Sequence, residues 1–290
     1  MALDTQQILA FLAVADTGSF SAAAHRLNLS QPAISKRVAS LENQLGRPLF
    51  DRIGRQVQLT EAGEALLPVA RQLRHDLEDA RRAVEELGGP VSGRLKLVTS
   101  HHIGLHHLPE ILRDYVRHYP AVKLDLAFMD SEDAFLAVER GEYELAIVTL
   151  PERIPDALTV RTLWVDAMPI TVARSHPLAS VGKVEPAMLE QYRAILPARH
   201  TVTRQRVDSW LHDLSARTGE VMEVNYLETI RTLVSIGLGW SALPRTLHND
   251  DLLILDFGRP PPQRLLGLAR HRSRSATRAG RVLENWLSTS

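Results

Sequence analysis

Apolar side chains near the N-terminus recur with helical spacing at Ile8, Leu9, Phe11, Leu12 and Val14, and the run stops at Asp16-Thr17-Gly18. That pattern predicts a helix with a glycine terminator. Ser19 can cap a second helix, whose stripe of Phe20, Ala23, Ala24 and Leu27 is small enough for close packing. Asn28-Leu29 makes a tight turn. Ser30 or Gln31 can then cap a third helix, with Pro32 in its first turn, where a missing N–H costs little. In the third helix Ile34, Val38, Leu41 and Leu45 form one apolar stripe. At about 100° per residue, Pro32, Ser35, Lys36 and Ala39 fall on the opposite arc, and Gln31 projects from the helix start.

That arc is small, polar and basic, so it can approach a major groove closely. Gln31 can bond adenine, Ser35 can donate or accept, and Lys36 and Arg37 can hold phosphates. An ordinary three-helix bundle with a solvated face has the same stripe. The order of short helix, small-residue helix, tight turn and polar-fronted helix favours a helix-turn-helix. After Gly46, two short β segments flank a glycine turn that carries Arg47, Arg52 and Arg55. They predict a wing lying along the phosphate backbone.

From Thr60, a helix cap, the pattern is helical as far as Leu87. Leu66, Ala70, Leu73, Leu77, Ala80, Val84 and Leu87 alternate spacings of four and three, as in a coiled-coil seam. Such a seam needs a cover, either a partner helix or the chain's own second domain. Pro68 removes one ladder bond and should bend the helix. Gly88-Gly89-Pro90 ends it, and Ser92-Gly93 completes a hinge.

Beyond the hinge, strand and helix patterns alternate. Strands are expected at 94–100, 123–128 and 143–150, with helices at 104–119 and 131–140 between them. A second set has strands near 169–173, 193–196 and 222–227 and helices over 203–216 and 229–237. Strands at 252–257 and 265–270 and a helix at 276–287 close the chain. Alternation of this kind predicts an α/β fold with a parallel sheet covered on both faces.

Several runs match a known pattern closely. Phe20-Ser21-Ala22-Ala23-Ala24, Leu29-Ser30-Gln31-Pro32-Ala33-Ile34-Ser35, Leu49-Phe50-Asp51-Arg52 and Leu59-Thr60-Glu61-Ala62-Gly63 together resemble the LysR-type transcriptional regulators. The resemblance implies that Gln31, Pro32, Ser35 and Lys36 face bases and backbone, and that Arg52 holds phosphate. It also implies an antiparallel pair of linker helices making a dimer, and a tetramer built from two dimers. The alternating C-terminal part resembles the two-lobed periplasmic-binding-protein-like (type II) effector domain of the family. The domains expected are a winged helix-turn-helix over 1–60, a linker helix over 61–87, a hinge over 88–93 and an effector domain over 94–290. Its first lobe takes about 94–163 and 266–290, and its second about 164–265.

Composition narrows the setting. Lysine plus arginine and aspartate plus glutamate number 34 each, so global charge says nothing of nucleic acid. Between Arg26 and Arg55, however, six basic residues face two acidic ones, Glu42 and Asp51. Cysteine is absent, which excludes disulfides and thiolate sites. The N-terminus lacks the basic start and apolar stretch of a signal peptide, and no apolar run is long enough to span a membrane, so a cytoplasmic protein is expected.

In open parallel sheets, ligands bind at the carboxyl ends of strands beside helix N-termini. That rule selects Ser100, His101 and His102 after the first strand and Thr149 after the third. Thr201, Val202 and Thr203 open a helix in the second lobe. Hydroxyls, imidazoles and backbone N–H groups suit a small organic or inorganic anion, though each residue can equally be a plain cap. The family resemblance places effector contacts in the same three segments. His102 and His106 have metal-ligand spacing, but no carboxylate lies beside them, so no metal or cofactor is expected. Gly237-Leu238-Gly239-Trp240-Ser241-Ala242 fits a loose dinucleotide fingerprint in the wrong context, because a helix precedes it and Pro244 follows.

Three function classes remain. A regulator of transcription acting on promoter DNA uses every part of the chain. A ligand-binding protein without DNA activity leaves the helix-turn-helix without purpose. An enzyme would need a nucleophile–base, paired-acid or metal motif, and none is visible in the sequence.

Overall fold

The computed structural model describes residues 3–53, 56–85 and 89–289. The chain forms two compact units, Met1–Leu87 and Gly88–Ser290.

The first unit holds α1 (Thr5–Thr17), α2 (Phe20–Arg26), α3 (Gln31–Leu45), β1 (Phe50–Ile53), β2 (Gln56–Leu59) and α4 (Glu61–Glu85). Local chemistry sets the helix ends. Asp4, Ser19 and Ser30 each accept a backbone N–H as N-caps, and Gly18 and Gly46 close α1 and α3 in left-handed turns with φ of 61° and 69°. Phe11, Leu12, Ile34, Leu41 and Leu49 are almost wholly buried, each burial stabilising by about 1.5–3 kcal/mol. Leu45, the last residue of the expected stripe, stays exposed because α3 ends there at Gly46. The Glu42 carboxylate accepts from Leu49 N at 2.8 Å and Phe50 N at 3.3 Å, which ties the antiparallel β1–β2 wing to α3.

The start of α4 belongs to this unit. The Thr60 hydroxyl accepts from Gly63 N at 3.1 Å and donates to Pro48 O at 2.7 Å. Ala70 is buried in the core, and Leu66 and Leu67 pack against it. Asp16, on α1, pairs with Arg26 at 3.3 Å, Arg71 at 3.2 Å and Arg74 at 3.7 Å. The helix runs on through Pro68.

The second unit contains, in order, β3 (Gly93–Thr99), α5 (His101–His106), α6 (Pro109–His118), β4 (Val122–Phe128), α7 (Ser131–Glu139), β5 (Leu145–Thr149), β6 (Leu158–Ala167), β7 (Ile170–Ala173) and β8 (Ala194–Leu196). It continues with α8 (Val202–His212), β9 (Val221–Glu223), α9 (Leu227–Ser235), β10 (Ser241–Ala242), β11 (Leu252–Ile254), β12 (Gln263–His271) and α10 (Arg278–Thr289). The five-stranded sheet has the order β4-β3-β5-β12-β6. β3 is parallel to β4 and β5, but β12 is antiparallel to both β5 and β6. The sheet is therefore mixed, where a parallel one was expected. β12 brings the chain back from the second lobe, so it enters the sheet in the opposite sense.

β6 was not anticipated, since Thr159, Arg161, Thr162 and Asp166 blur any alternation along it. It runs past 163 and β12 begins before 266, the positions at which the lobes were expected to divide. The single helix expected over 104–119 is two. Pro109 has no N–H to continue α5 and instead opens α6. In the second lobe, β7 lies between β10 and β11, and β8 pairs in parallel with β9. Gly237 ends α9 with φ of 83°, and Trp240 is fully buried, its indole N–H donating to Leu189 O at 3.1 Å. No single helix among the described residues is long and apolar enough to cross a membrane.

Candidate functional site

The polar arc of α3 lies open. Gln31, Pro32 and Lys36 are exposed, and Ser35 and Arg37 are half-buried. Gln31 Oε1 accepts from the Ser21 hydroxyl at 3.2 Å, which sets its side chain from α2. Arg37 donates to Gln6 Oε1 at 3.1 Å, leaving other guanidinium N–H groups uncommitted in that bond. Arg55 and Leu87 lie outside the described residues, as do the side chains of Arg52 and Val84. Along the seam of α4, Leu66 is half-buried and Ala70 buried, whereas Leu73, Leu77 and Ala80 are exposed.

In the second unit, Ser100, His101, His102, Thr149, Thr201, Val202 and Thr203 all line one cavity open to solvent. Two strand-to-helix junctions, β3 to α5 and β8 to α8, and the end of β5 account for them. Ser100 caps α5 by backbone only, so its hydroxyl is not spent on the cap. Thr149 ends β5, and its N–H donates to the buried Ser131 hydroxyl at 3.1 Å. Thr201 is the N-cap of α8, accepting from Arg204 N at 3.3 Å, and is thus partly occupied by the plain structural role. Thr203 accepts from Arg264 Nη1 at 2.9 Å.

The cavity has further walls that the strand-end rule, applied to three segments only, did not reach. Asp130, Ser131 and Glu132 come from the start of α7, Asn225 to Glu228 from the start of α9, and Arg264 from β12. The first two are also strand-to-helix junctions, so the same rule applied throughout would have found them. Arg264 had no local signal. Its buried guanidinium forms a salt bridge with buried Asp166 at 2.8 Å, which largely matches its charge. Glu132 spans the cavity: its carboxylate accepts from Val202 N, the first N–H of α8, at 3.0 Å. A carboxylate of the chain itself thus sits on the helix N-terminus.

Glu228 joins the histidines. Its Oε1 accepts from His102 Nδ1 at 3.2 Å and His106 Nε2 at 3.1 Å. Burial holds the His102 and His107 imidazoles below their ordinary values. Burial, the largest single influence, would raise Glu228, but the hydrogen bond from His102, a backbone hydrogen bond and the neighbouring imidazoles together outweigh it and leave the carboxyl at about 2. The consistent arrangement is neutral His102 donating to a carboxylate. His101 is exposed, its ring 5.0 Å from that of Tyr226.

Residues 5–64 match the family model described as a bacterial regulatory helix-turn-helix protein of the lysR family, and residues 88–290 match the LysR substrate binding domain. The chain belongs to the LysR family. It is therefore a DNA-binding transcriptional regulator with an effector-binding domain, in a family of regulators rather than enzymes. This LysR-family chain is 31% identical over 238 residues to a probable RuBisCO transcriptional regulator of Cyanidioschyzon merolae, covering 80% of the chain and 78% of that relative. Over 107 residues it is 63% identical to an uncharacterized HTH-type regulator of Azotobacter vinelandii, covering 37% of the chain and 74% of the relative. Among solved structures, a full-length OxyR variant from Pseudomonas aeruginosa matches with a TM-score of 0.77 at 22% identity, covering all of this regulator and 95% of that chain. CbnR in complex with its target DNA matches with a TM-score of 0.65 at 21% identity, covering 99% of each. At these identities the likeness is one of fold, carried by the TM-scores.

Proposed function

We propose that this LysR-family regulator responds to a small organic molecule bearing one anionic group, held in the cavity of its effector domain. The observation that carries the reading is Glu132 on the N-terminus of α8. A helix start that already takes a carboxylate can take one from a ligand once Glu132 withdraws. The free Ser100 hydroxyl faces the same space. Asp130 and Glu228 make the remaining walls acidic, so the other end of the ligand carries donors, as a hydroxy acid or amino acid does. Bare inorganic anions fit the lining less well.

The α3 arc meets promoter DNA in this reading. Gln31, Pro32 and Ser35 approach bases, while Lys36, Arg37, Arg52 and Arg55 hold the backbone. The protein works in the cytoplasm as a dimer joined through α4, with tetramers built from dimers. A ligand shifts the assembly only by the difference in its affinity for two arrangements. Thermal-shift screening of small hydroxy acids, amino acids and sulfate tests the site, since a ligand that binds the native fold raises its melting temperature. The shift given by a hit is expected to vanish in Ser100→Ala while operator affinity without ligand is retained. A shift that survives Ser100→Ala moves the site elsewhere.

A further inference from the structure

The four histidines that follow β3 carry a motif the regulatory reading does not use. Two of them, His102 and His106, lie one turn apart on α5. What the motif lacks locally is a carboxylate, and the fold supplies it from α9, 126 residues further along the chain from His102. We propose that His102, His106 and Glu228 bind a divalent transition metal ion, Zn²⁺ by preference, at the wall of the effector cavity.

Geometry is the first support. One ring nitrogen from each of His102 and His106 and one Glu228 oxygen all lie within 4.8 Å of one another. Two edges of that triangle, from Glu228 Oε1 to the imidazole nitrogens, are 3.2 and 3.1 Å. Ligand atoms around a tetrahedral Zn²⁺ with bonds near 2.0–2.1 Å stand roughly 3.3 Å apart, so these two edges already match, and the third has at most 4.8 Å to close from. Donor chemistry is the second. Two imidazole nitrogens and one carboxylate oxygen suit Zn²⁺ and its transition-metal neighbours, and suit Mg²⁺ and Ca²⁺ poorly.

The surroundings of His102 are the third support. With Nδ1 on the metal its proton resides on Nε2, which lies 3.4 Å from the Thr246 hydroxyl. Outer partners of this kind fix the orientation of a ligating imidazole. Glu228 Oε2 is buried with no hydrogen-bond partner among the described residues, so it is free to follow its carboxylate toward the ion. Entry is open, because the side chains of His106 and Glu228 keep 28% and 25% of their surface exposed. Three protein ligands leave a fourth position, as in zinc sites that accept an exogenous group.

The site shares His102 and Glu228 with the wall of the effector cavity, but it needs no effector and is tested with metal alone. Tag-free, chelator-treated full-length protein is titrated with ZnCl₂ by calorimetry. One ion per chain is expected, with the stoichiometric heat lost in both His106→Ala and Glu228→Gln and kept in His118→Ala. Glu228→Gln preserves shape and can still accept N–H bonds, so loss there reports ligation rather than packing. Circular dichroism of the metal-free variants checks that they fold. X-ray absorption on the zinc-loaded wild-type protein gives a second reading that needs no variant, with two imidazoles expected in the ion's environment. Absence of binding, retention of the heat in Glu228→Gln, or a zinc environment without imidazole overturns the proposal.

Discussion

Ser35 and Lys36 are neighbours in the chain, yet in the proposed reading they meet DNA through different forces. A short hydroxyl on the half-buried part of the arc discriminates bases by hydrogen bonding, and an exposed ammonium pairs with phosphate whatever the sequence. Ser35→Ala is expected to weaken operator binding by roughly 1 kcal/mol and to leave random DNA nearly unaffected. Lys36→Ala should weaken both alike and lower the salt slope by about one. Fluorescence anisotropy on both DNAs across a salt series separates the two. Equal losses for Ser35→Ala would remove it from the base contacts. Gly63 makes a residue-scale point of another kind. A Cβ built there would overlap the Leu49 carbonyl oxygen, where α4 crosses the chain before the wing. Alanine is the better helix former by about 1 kcal/mol, but the overlap involves backbone that cannot swing aside. Gly63→Ala is therefore expected to destabilise the first unit, by roughly 1–3 kcal/mol in urea unfolding. The sequence displays this glycine within a recognisable motif, but the reason for it is a contact between segments and is invisible there.

At the scale of elements, two helix starts are chemically loaded. Glu132, on α7, reaches across the cavity to the first N–H of α8. Glu132→Gln keeps an acceptor there but removes its negative charge, which weakens the intramolecular contact relative to an incoming anion. A ligand found by thermal shift should bind Glu132→Gln several-fold more tightly than the wild type, read by calorimetry. Weaker binding would show that Glu132 helps to hold the ligand. The turn at Pro177–Ser180 is opened by His176, whose Nδ1 accepts from Leu178 N at 3.2 Å while its ring packs on Tyr192. Burial lowers this histidine below its ordinary value of 6.5. The unfolded chain then takes up the proton first, so its contribution to stability is complete above about 6.5 and is lost as pH falls through the lower folded-state value. The melting temperature should decline on acidification below that point, and His176→Asn, which keeps an acceptor and does not titrate there, should flatten the decline. These elements also mark the limit of legibility. Caps at Ser19, Ser30 and Thr201 are local chemistry and can be read from the chain. So can Ser100 and Thr149, which sit at strand ends. Arg264 reaches the cavity through tertiary folding, and β6 hides because its residues face two different environments.

For the molecule as a whole, the seam of α4 divides into two parts. Its first members are consumed within the DNA-binding unit, where Ala70 is buried and Leu66 packs on the same core. Its later members, Leu73 and Leu77, keep 39% and 43% of their surface exposed. An apolar stripe that continues past the core it serves needs another cover, and a second copy of the same helix satisfies a seam of spacing 3.5. Leu73→Asp/Leu77→Asp is therefore expected to convert the assembled protein to monomers in sedimentation velocity, without a matching loss in melting temperature of the first unit. Ala70→Asp should instead unfold that unit, because it places a charge inside the core. Operator affinity should fall steeply in the double variant even with every α3 residue intact, since two recognition helices joined in one particle bind as a pair and separate ones do not. If the double variant stays assembled, contacts elsewhere hold the copies together, and the exposed half of the stripe serves something other than self-association.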